Sequence, residues 1–543
     1  MVGRTIASRP VSDAWYTRPT FWCAVALIAV AILGLPSLRY PFGPDEGILA
    51  YVADVWLRGR LPYRDVWDVN PPAVFGIYAL AQVVFGKTMV AARAADLIAT
   101  LLAAGGLYAL ARRQFSASVA AYAPLLFGIA YYTLFTFAET ARAESFAAPL
   151  AVLLIYTLLR WQESGECHWP LIGGMSVGCM ALMKTPFAWI GVLAFLAFRA
   201  QNQKLGRRRW WNLGYFGLGI VLPISLTAVY FATNGALAFL LTAQWTRGGA
   251  QDSLAGALWA LPGQAGLFLL QHPFFLFLCA LAAVPNRLLE RVKVSYWPDQ
   301  SLIRWWLGIG ALVVVVEGRF YGYHLVLLLP PLSLLAARTL GGLWEALQRA
   351  PESRVRIPAL VGLVLAFTLP VTQDIARFRV AWLAQTGQMP QQAFWSLFAF
   401  PNYYPFSNTA QVADYARTHT SPGDTILVYD FDPAIYYLAD RVAPTRHISL
   451  APLYEQNLFP TPLRQRWISE QIADVRRKPP RLLIVVGWPR GYGMTTSNSF
   501  QPARLHFGGN DFQFVARITH DRIYRLLPSS RRQSRVKSAS ARG

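Results

Sequence analysis

Four short polar clusters interrupt an otherwise apolar chain of 543 residues. The first, Pro44-Asp45-Glu46-Gly47, sets two adjacent carboxylates just past the first apolar run. A carboxylate there can act as general base toward an acceptor hydroxyl while a lipid-borne donor enters from the bilayer. The same pair could instead cap a helix beginning near Gly47, where the helix dipole favours acids. The second cluster, Glu139-Thr140-Ala141-Arg142-Ala143-Glu144, lies between two apolar runs. Charges in such a place are costly unless paired or facing water, and an Arg142–glutamate pair holding two helix ends would also explain them. Lys184 stands alone between two short apolar segments; it can snorkel or offer a cation to a lipid phosphate. In the fourth, Glu317-Gly318-Arg319-Phe320-Tyr321-Gly322-Tyr323-His324, Arg319 and His324 could grip a phosphate and the tyrosines could be interfacial anchors. His324 alone reads more readily as structural. No HExxH or GxxxxGK[ST] motif occurs, so zinc proteolysis and P-loop ATP use have no motif support.

The composition says what must position these groups. Hydrophobic residues make up 55% and charged residues 14%, and the mean hydropathy is +0.33. Soluble domains carry about 25% charged residues, so much of this surface faces something other than water. The 19 Trp, 24 Tyr and 32 Phe suit membrane interfaces. The chain reads as a polytopic α-helical membrane protein. Its four cysteines, Cys23, Cys167, Cys179 and Cys279, show no CxxC spacing and indicate neither a disulfide framework nor a zinc site.

Apolar segments fall at 21–38, 89–111, 118–137, 144–160, 169–183, 186–199, 213–232, 263–284, 302–317, 321–339 and 357–372. The first follows a basic leader, residues 1–20, and reads as a retained signal anchor with a cytoplasmic N-terminus. Lys184-Thr185-Pro186 splits a pair of short segments, because proline disfavours helix in the residue before it. Residues 71–86 are ambiguous. If they cross the membrane, Arg112 and Arg113 land outside; if they lie along the outer interface, the loops holding Arg112/Arg113, Arg199–Arg209, Arg287–Lys293 and Arg338–Arg356 all fall inside. The second solution predicts about eleven spans, with the C-terminal part outside. It gathers 39–88, 138–144, Lys184, 233–262 and 317–324 on the outer face. Within the first loop, residues 47–58 predict an amphipathic helix lying in the interface.

Beyond a connector at 373–407 the pattern changes. Residues 424–429 and 481–487 read as buried strands, 411–418 and 463–477 as helices, and 512–518 with 522–527 as a closing hairpin. This predicts an extracytoplasmic α/β domain over 408–528, followed by a disordered basic tail at 529–543.

Taken together, Asp45-Glu46, the run Gly59-Arg60-Leu61-Pro62-Tyr63-Arg64-Asp65-Val66-Trp67-Asp68 leading into Pro71-Pro72, and Arg142-Ala143-Glu144 resemble the GT-C membrane glycosyltransferases. More narrowly, they resemble the dolichyl-phosphate-mannose–protein mannosyltransferases and the lipid A aminoarabinose transferases. Lys184-Thr185-Pro186 and residues 321–331 match later landmarks, and 430–441 resembles the outer domains of bacterial members. The resemblance implies a GT-C membrane domain over 21–372 and inverting sugar transfer from a polyprenyl-phosphate donor to a glycan, lipid or protein acceptor of the cell envelope. It implies Asp45 as general base, Glu46 beside it, and Glu144 as a further acid facing the cavity. Lys184 and Arg319 would hold the donor phosphate, with Arg58, Arg142 and His324 as secondary candidates. Many relatives carry Lys before the Pro-Pro pair; here Asn70 stands there, so phosphate binding falls more heavily on Lys184 and Arg319. Asp45, Glu46 and Glu144 could hold a divalent ion, but no cofactor is expected.

Two other classes compete. A lipid-linked sugar flippase would favour internal repeats and helices broken near the midplane, whereas here the polar clusters sit at the outer ends of spans and no repeat is visible. A non-catalytic envelope assembly protein would need the polar pairs only to pin helices. Nucleic acid is not an expected partner despite a net charge of +22, because most basic residues of the membrane part serve orientation.

Overall fold

The computed structural model describes residues 18–113, 115–200, 208–249, 271–285, 301–318, 320–349, 371–400, 404–429, 431–448, 461–487 and 503–528, with scattered residues between 259 and 269 and between 357 and 368. The leader before Arg18 and the tail after residue 528 lie outside them, as do parts of the expected spans 263–284 and 357–372.

Among the described residues, six helices are long and apolar enough to cross a bilayer: Pro19–Arg39, Met89–Ala111, Ala117–Leu134, Ala143–Ser164, Trp210–Thr233 and Gly322–Trp344. Shorter apolar helices run over Pro72–Phe85, Thr185–Arg199, Leu237–Thr246 and Pro273–Ala283. The protein is a polytopic α-helical membrane protein. Local chemistry sets the helix ends. The Thr88 side chain accepts a hydrogen bond from the Ala91 N–H at 3.3 Å and opens Met89–Ala111. Gly165 closes Ala143–Ser164 at φ 68°, a left-handed conformation that costs glycine little. Pro186 marks the change from the helix His168–Ala181 to a 3₁₀ turn over Thr185–Gly191, leaving Lys184 extended at the break.

The C-terminal part contains a β-sheet domain. A short pair, β1 (Ala399–Phe400) and β2 (Tyr404–Pro405), precedes it. The five-stranded sheet comprises β3 (Ile426–Tyr429), β4 (Leu482–Val485), β5 (Arg504–Phe507), β6 (Asn510–Ile518) and β7 (Asp521–Leu526), in the order β3-β4-β7-β6-β5. Only β3 and β4 run parallel; the other pairs are antiparallel. The two-residue period sorts the side chains. Leu427, Leu483 and Tyr524 form a small core with Val475 of the helix Thr461–Arg477, while Ile426, Val428, Leu482, Ile484 and Ile523 join the main core. The hairpin expected at 512–527 is present, but it does not close the sheet. β7 pairs with β4, and β5 forms the edge.

This domain is docked on the first loop. The helix Pro44–Leu57 is buried from Glu46 to Val55, rather than lying half-exposed at an interface as its amphipathic pattern predicts. Its outward face is covered by the short helix Ala434–Ala439, and Pro72–Phe85 packs on it as well. Tyr51 stacks on Tyr436 at 5.0 Å between ring centroids, and the Ala443 N–H donates to the Tyr51 hydroxyl at 2.9 Å. The Trp67 N–H donates to the Arg446 carbonyl at 2.8 Å, and Trp67 packs on Trp467 at 4.7 Å. Asp440, at the left-handed end of the short helix, is gripped by Arg58 and by Lys87 (2.5 Å). The Lys87 and Arg58 hydrogen bonds bring its carboxyl down to about 2.

The two parts also pack closely at Gly47. A Cβ there would meet the Ala434 Cβ at 2.7 Å and its Cα and backbone N at 3.0 Å. Gly47→Val is therefore expected to lower stability by about 1–3 kcal/mol through overpacking, read as a fall in the thermal midpoint of the detergent-purified protein. An unchanged midpoint would contradict this packing.

Candidate functional site

The site is assembled from helix ends. Asp45 and Glu46 occupy the first turn of Pro44–Leu57, where Pro44 starts the helix and the acids complement its dipole. Arg142 and Glu144 open Ala143–Ser164. Lys184 comes from the proline-induced break, Glu317 ends Ser301–Glu317, and Tyr323 and His324 lie in the 3₁₀ turn Gly322–Leu328.

Two ion-pair groups meet across one tyrosine. Arg142 pairs with Asp45, and its Nη1 lies 3.9 Å from Glu46 Oε1. Lys184 Nζ bridges Glu144 Oε1 at 2.6 Å and Glu317 Oε2 at 2.5 Å, and His324 Nε2 lies 2.8 Å from the same Glu317 oxygen. The Tyr323 ring centre is 4.0 Å from the Arg142 guanidinium carbon and 5.6 Å from Lys184 Nζ, within the range of cation–π attraction. Buried charges persist only when paired, so each helix end needs the others. Asp45 is the accessible acid, its side chain 40% exposed, against 0% for Glu46, 2% for Glu144 and 4% for Glu317.

Six residues singled out from sequence thus come together: Asp45, Glu46, Arg142, Glu144, Lys184 and His324. Arg58 does not join them. It follows the far end of the helix that begins at Asp45, about 20 Å away by helical rise, and bonds Asp54 and Asp440 instead. Arg319 lies outside the described residues. Glu317 and Tyr323 carry no distinguishing local signal in the sequence. Arg93 and Asp96 do carry one, two charges within an apolar helix, which is a recognisable mark of function.

Glu144, Glu317 and His324 offer ligand atoms all within 4.8 Å of one another and could hold a metal ion. His324 Nδ1 and Glu317 Oε1 are buried with no hydrogen-bond partner among the described residues. The Lys184 ammonium, however, already bridges both carboxylates, so a metal bound there would have to displace it.

Against this geometry the likenesses to known proteins are informative. Residues 69–231 match the sequence family described as dolichyl-phosphate-mannose-protein mannosyltransferase. No curated protein matches the chain in sequence. ArnT from Cupriavidus metallidurans, crystallised bound to undecaprenyl phosphate, superposes with a TM-score of 0.56 at 16% identity, covering 96% of this chain and 99% of that one. Its apo form gives 0.55 at 16% identity, covering 94% and 98%. The chain thus shares the fold of ArnT, and its residues 69–231 carry the sequence pattern of the mannosyltransferase family.

Glu46 supplies a pH prediction. Both its carboxylate oxygens are buried with no hydrogen-bond partner among the described residues. Burial lifts its carboxyl from 4.5 to about 7, against the opposing pull of Arg142 and Arg93. A raised folded value means that the fold favours the neutral acid. Its contribution is complete below about 4.5 and is lost as pH rises through about 7. The thermal midpoint of the wild type should therefore fall between about pH 5 and about pH 7.5, and Glu46→Gln should flatten that fall. Equal pH dependence in both proteins would contradict the assignment.

Proposed function

We propose that the protein is an inverting glycosyltransferase that moves a sugar from a polyprenyl-phosphate donor to a glycan, lipid or protein acceptor at the outer face of the cytoplasmic membrane. The observation that carries this reading is Asp45. It is the one half-open carboxylate in a cluster whose other acids are buried, and Arg142 fixes its position. Asp45 takes the proton of the acceptor hydroxyl as its oxygen attacks the anomeric carbon, and the bond from that carbon to the lipid phosphate breaks with its electron pair on the phosphate. Positive charge develops on the sugar as the bond loosens. With Glu46 neutral, three carboxylates (Asp45, Glu144, Glu317) face two cations (Arg142, Lys184), an acid-rich field that suits such a centre. The ammonium of Lys184 has three N–H donors and spends two on Glu144 and Glu317, leaving one for a leaving-group oxygen. Arg319 completes the phosphate grip in this reading, and no metal takes part.

The membrane domain comprises residues 21–372 with about eleven spans, the N-terminus cytoplasmic and the sheet domain at 408–528 outside, where it backs the helix of Asp45. A reporter at Arg112 should then be cytoplasmic; a reporter there on the outer side would overturn the topology.

The direct test is release of polyprenyl phosphate from a panel of polyprenyl-phosphate sugars by lipid-reconstituted protein. Asp45→Asn is expected to lower turnover by about 10²–10⁴-fold, the usual weight of a general base, with folding intact. Equal turnover in both would remove Asp45 from the mechanism. Neither turnover nor donor binding across the panel would favour the non-catalytic assembly reading.

A further inference from the structure

Arg93 and Asp96 share one turn of the helix Met89–Ala111, and both are completely buried. Neither takes part in a described ion pair. Arg93 spends its guanidinium on the backbone of two separate loops. Toward the first it donates to the carbonyls of Tyr40 (3.4 Å) and Pro41. Toward the second it donates to the carbonyls of Phe137 (2.9 Å) and Thr140 (3.4 Å) and to the Thr140 hydroxyl (3.0 Å). The first loop leads directly into the helix that begins with Asp45; the second leads directly to Arg142.

Asp96 completes the second attachment. Its Oδ1 accepts the Ala141 N–H at 2.9 Å and the Tyr131 hydroxyl at 2.5 Å. The Tyr131 hydroxyl is also 2.6 Å from the Ser145 hydroxyl, which accepts the Arg142 N–H at 3.4 Å. From the other side, Tyr78 donates its hydroxyl to the Ala141 carbonyl at 2.8 Å. Ala141 stands at φ 59°, a left-handed conformation unfavourable for a residue with a Cβ. Its peptide groups are thus tied on both sides, and that conformation turns the chain into Arg142.

A buried cation that bonds carbonyls rather than a carboxylate is a poor source of stability, yet this one joins the two segments that lead into Asp45 and Arg142. We propose that Arg93 and Asp96 are positioning residues for the transfer reaction: they hold the loops 40–43 and 136–142 at the separation that keeps Arg142 on Asp45. The proposal rests on the glycosyltransferase reading above. The donor-holding Lys184 is anchored separately by Glu144 and Glu317, so donor binding need not follow the loops.

Arg93→Lys is the discriminating variant. It keeps the charge but replaces the guanidinium fork with a single ammonium that cannot span both loops. Expected is a fall in kcat of about 10²-fold, the scale of a misplacement near 1 Å, with the KM for the lipid donor within about twofold of wild type, because only the Asp45–Arg142 alignment is disturbed. Tyr78→Phe, an isosteric change that removes one tie to Ala141, should move kcat the same way by a smaller factor; it serves if Arg93→Lys does not fold. The geometry is measured separately. Spin labels at the exposed positions Arg39 and Thr136, with the four cysteines replaced, should give one narrow distance in the otherwise unaltered protein and a broadened or shifted one with Arg93→Lys. Full kcat with Arg93→Lys in a protein that Asp45→Asn inactivates would overturn the proposal and leave the enzyme reading standing. An unchanged label distance would overturn it even without turnover. Absence of turnover in wild type would count against the enzyme reading instead, and the label distance would still decide the role of Arg93. A fall in kcat matched by a proportional rise in donor KM would point to general loosening of the site and also overturn it.

Discussion

Lys184 is buried between two carboxylates that come from opposite reaches of the chain, Glu144 and Glu317. Taking three charges out of water is tolerable only while all three remain together; removing one partner of such a group costs about 3–5 kcal/mol. That constraint obliges a proline-broken segment, the start of the span Ala143–Ser164 and the end of the helix Ser301–Glu317 to meet at one point. The neighbouring Arg142–Asp45 pair attaches the first loop to the same point, with the Tyr323 ring facing both cations. The candidate site is therefore also a structural centre.

Around this centre the protein uses each buried charge differently. Lys184 balances acids. Arg93 makes no described salt bridge and spends its donors on loop carbonyls and the Thr140 hydroxyl, so its main contribution is shape. Glu46 sits in the first turn of a helix with neither oxygen hydrogen-bonded among the described residues, where burial keeps it neutral over the acid half of the pH range. Asp45 and its neighbour differ in access, since one carboxyl is open to solvent while the next is withdrawn from it.

The C-terminal sheet domain contributes through contact. Its short helix Ala434–Ala439 lies against the helix of Asp45 and Glu46 at Gly47, and its Asp440 closes an ion-pair group with Arg58, Lys87 and Asp54. The first loop is thereby held between the membrane helices and the sheet domain. This explains why a segment with an amphipathic pattern is buried on every side. The pattern reports that one face avoids water, but it does not say that a second surface will cover the other.

The residue order alone determined the broad outcome: long apolar segments that must lie in lipid, a late change to two-residue periodicity that gives strands, and acids and bases confined to the junctions between apolar runs. These follow from local composition, because water and hydrocarbon sort segments by their own side chains. That Asp45, Glu46, Arg142, Glu144, Lys184 and His324 belong together was legible for the same reason, since charge between apolar runs has few places to go. Only the tertiary structure decided the partners. Arg58, equally conspicuous in sequence, went to the sheet domain. Glu317, unremarkable in sequence, became the second acid on Lys184, Tyr323 faces the cations of both ion-pair groups, and Arg93 with Asp96 tie the loops. Which charge meets which depends on how helices tens to more than a hundred residues apart pack, and no local pattern encodes that distance.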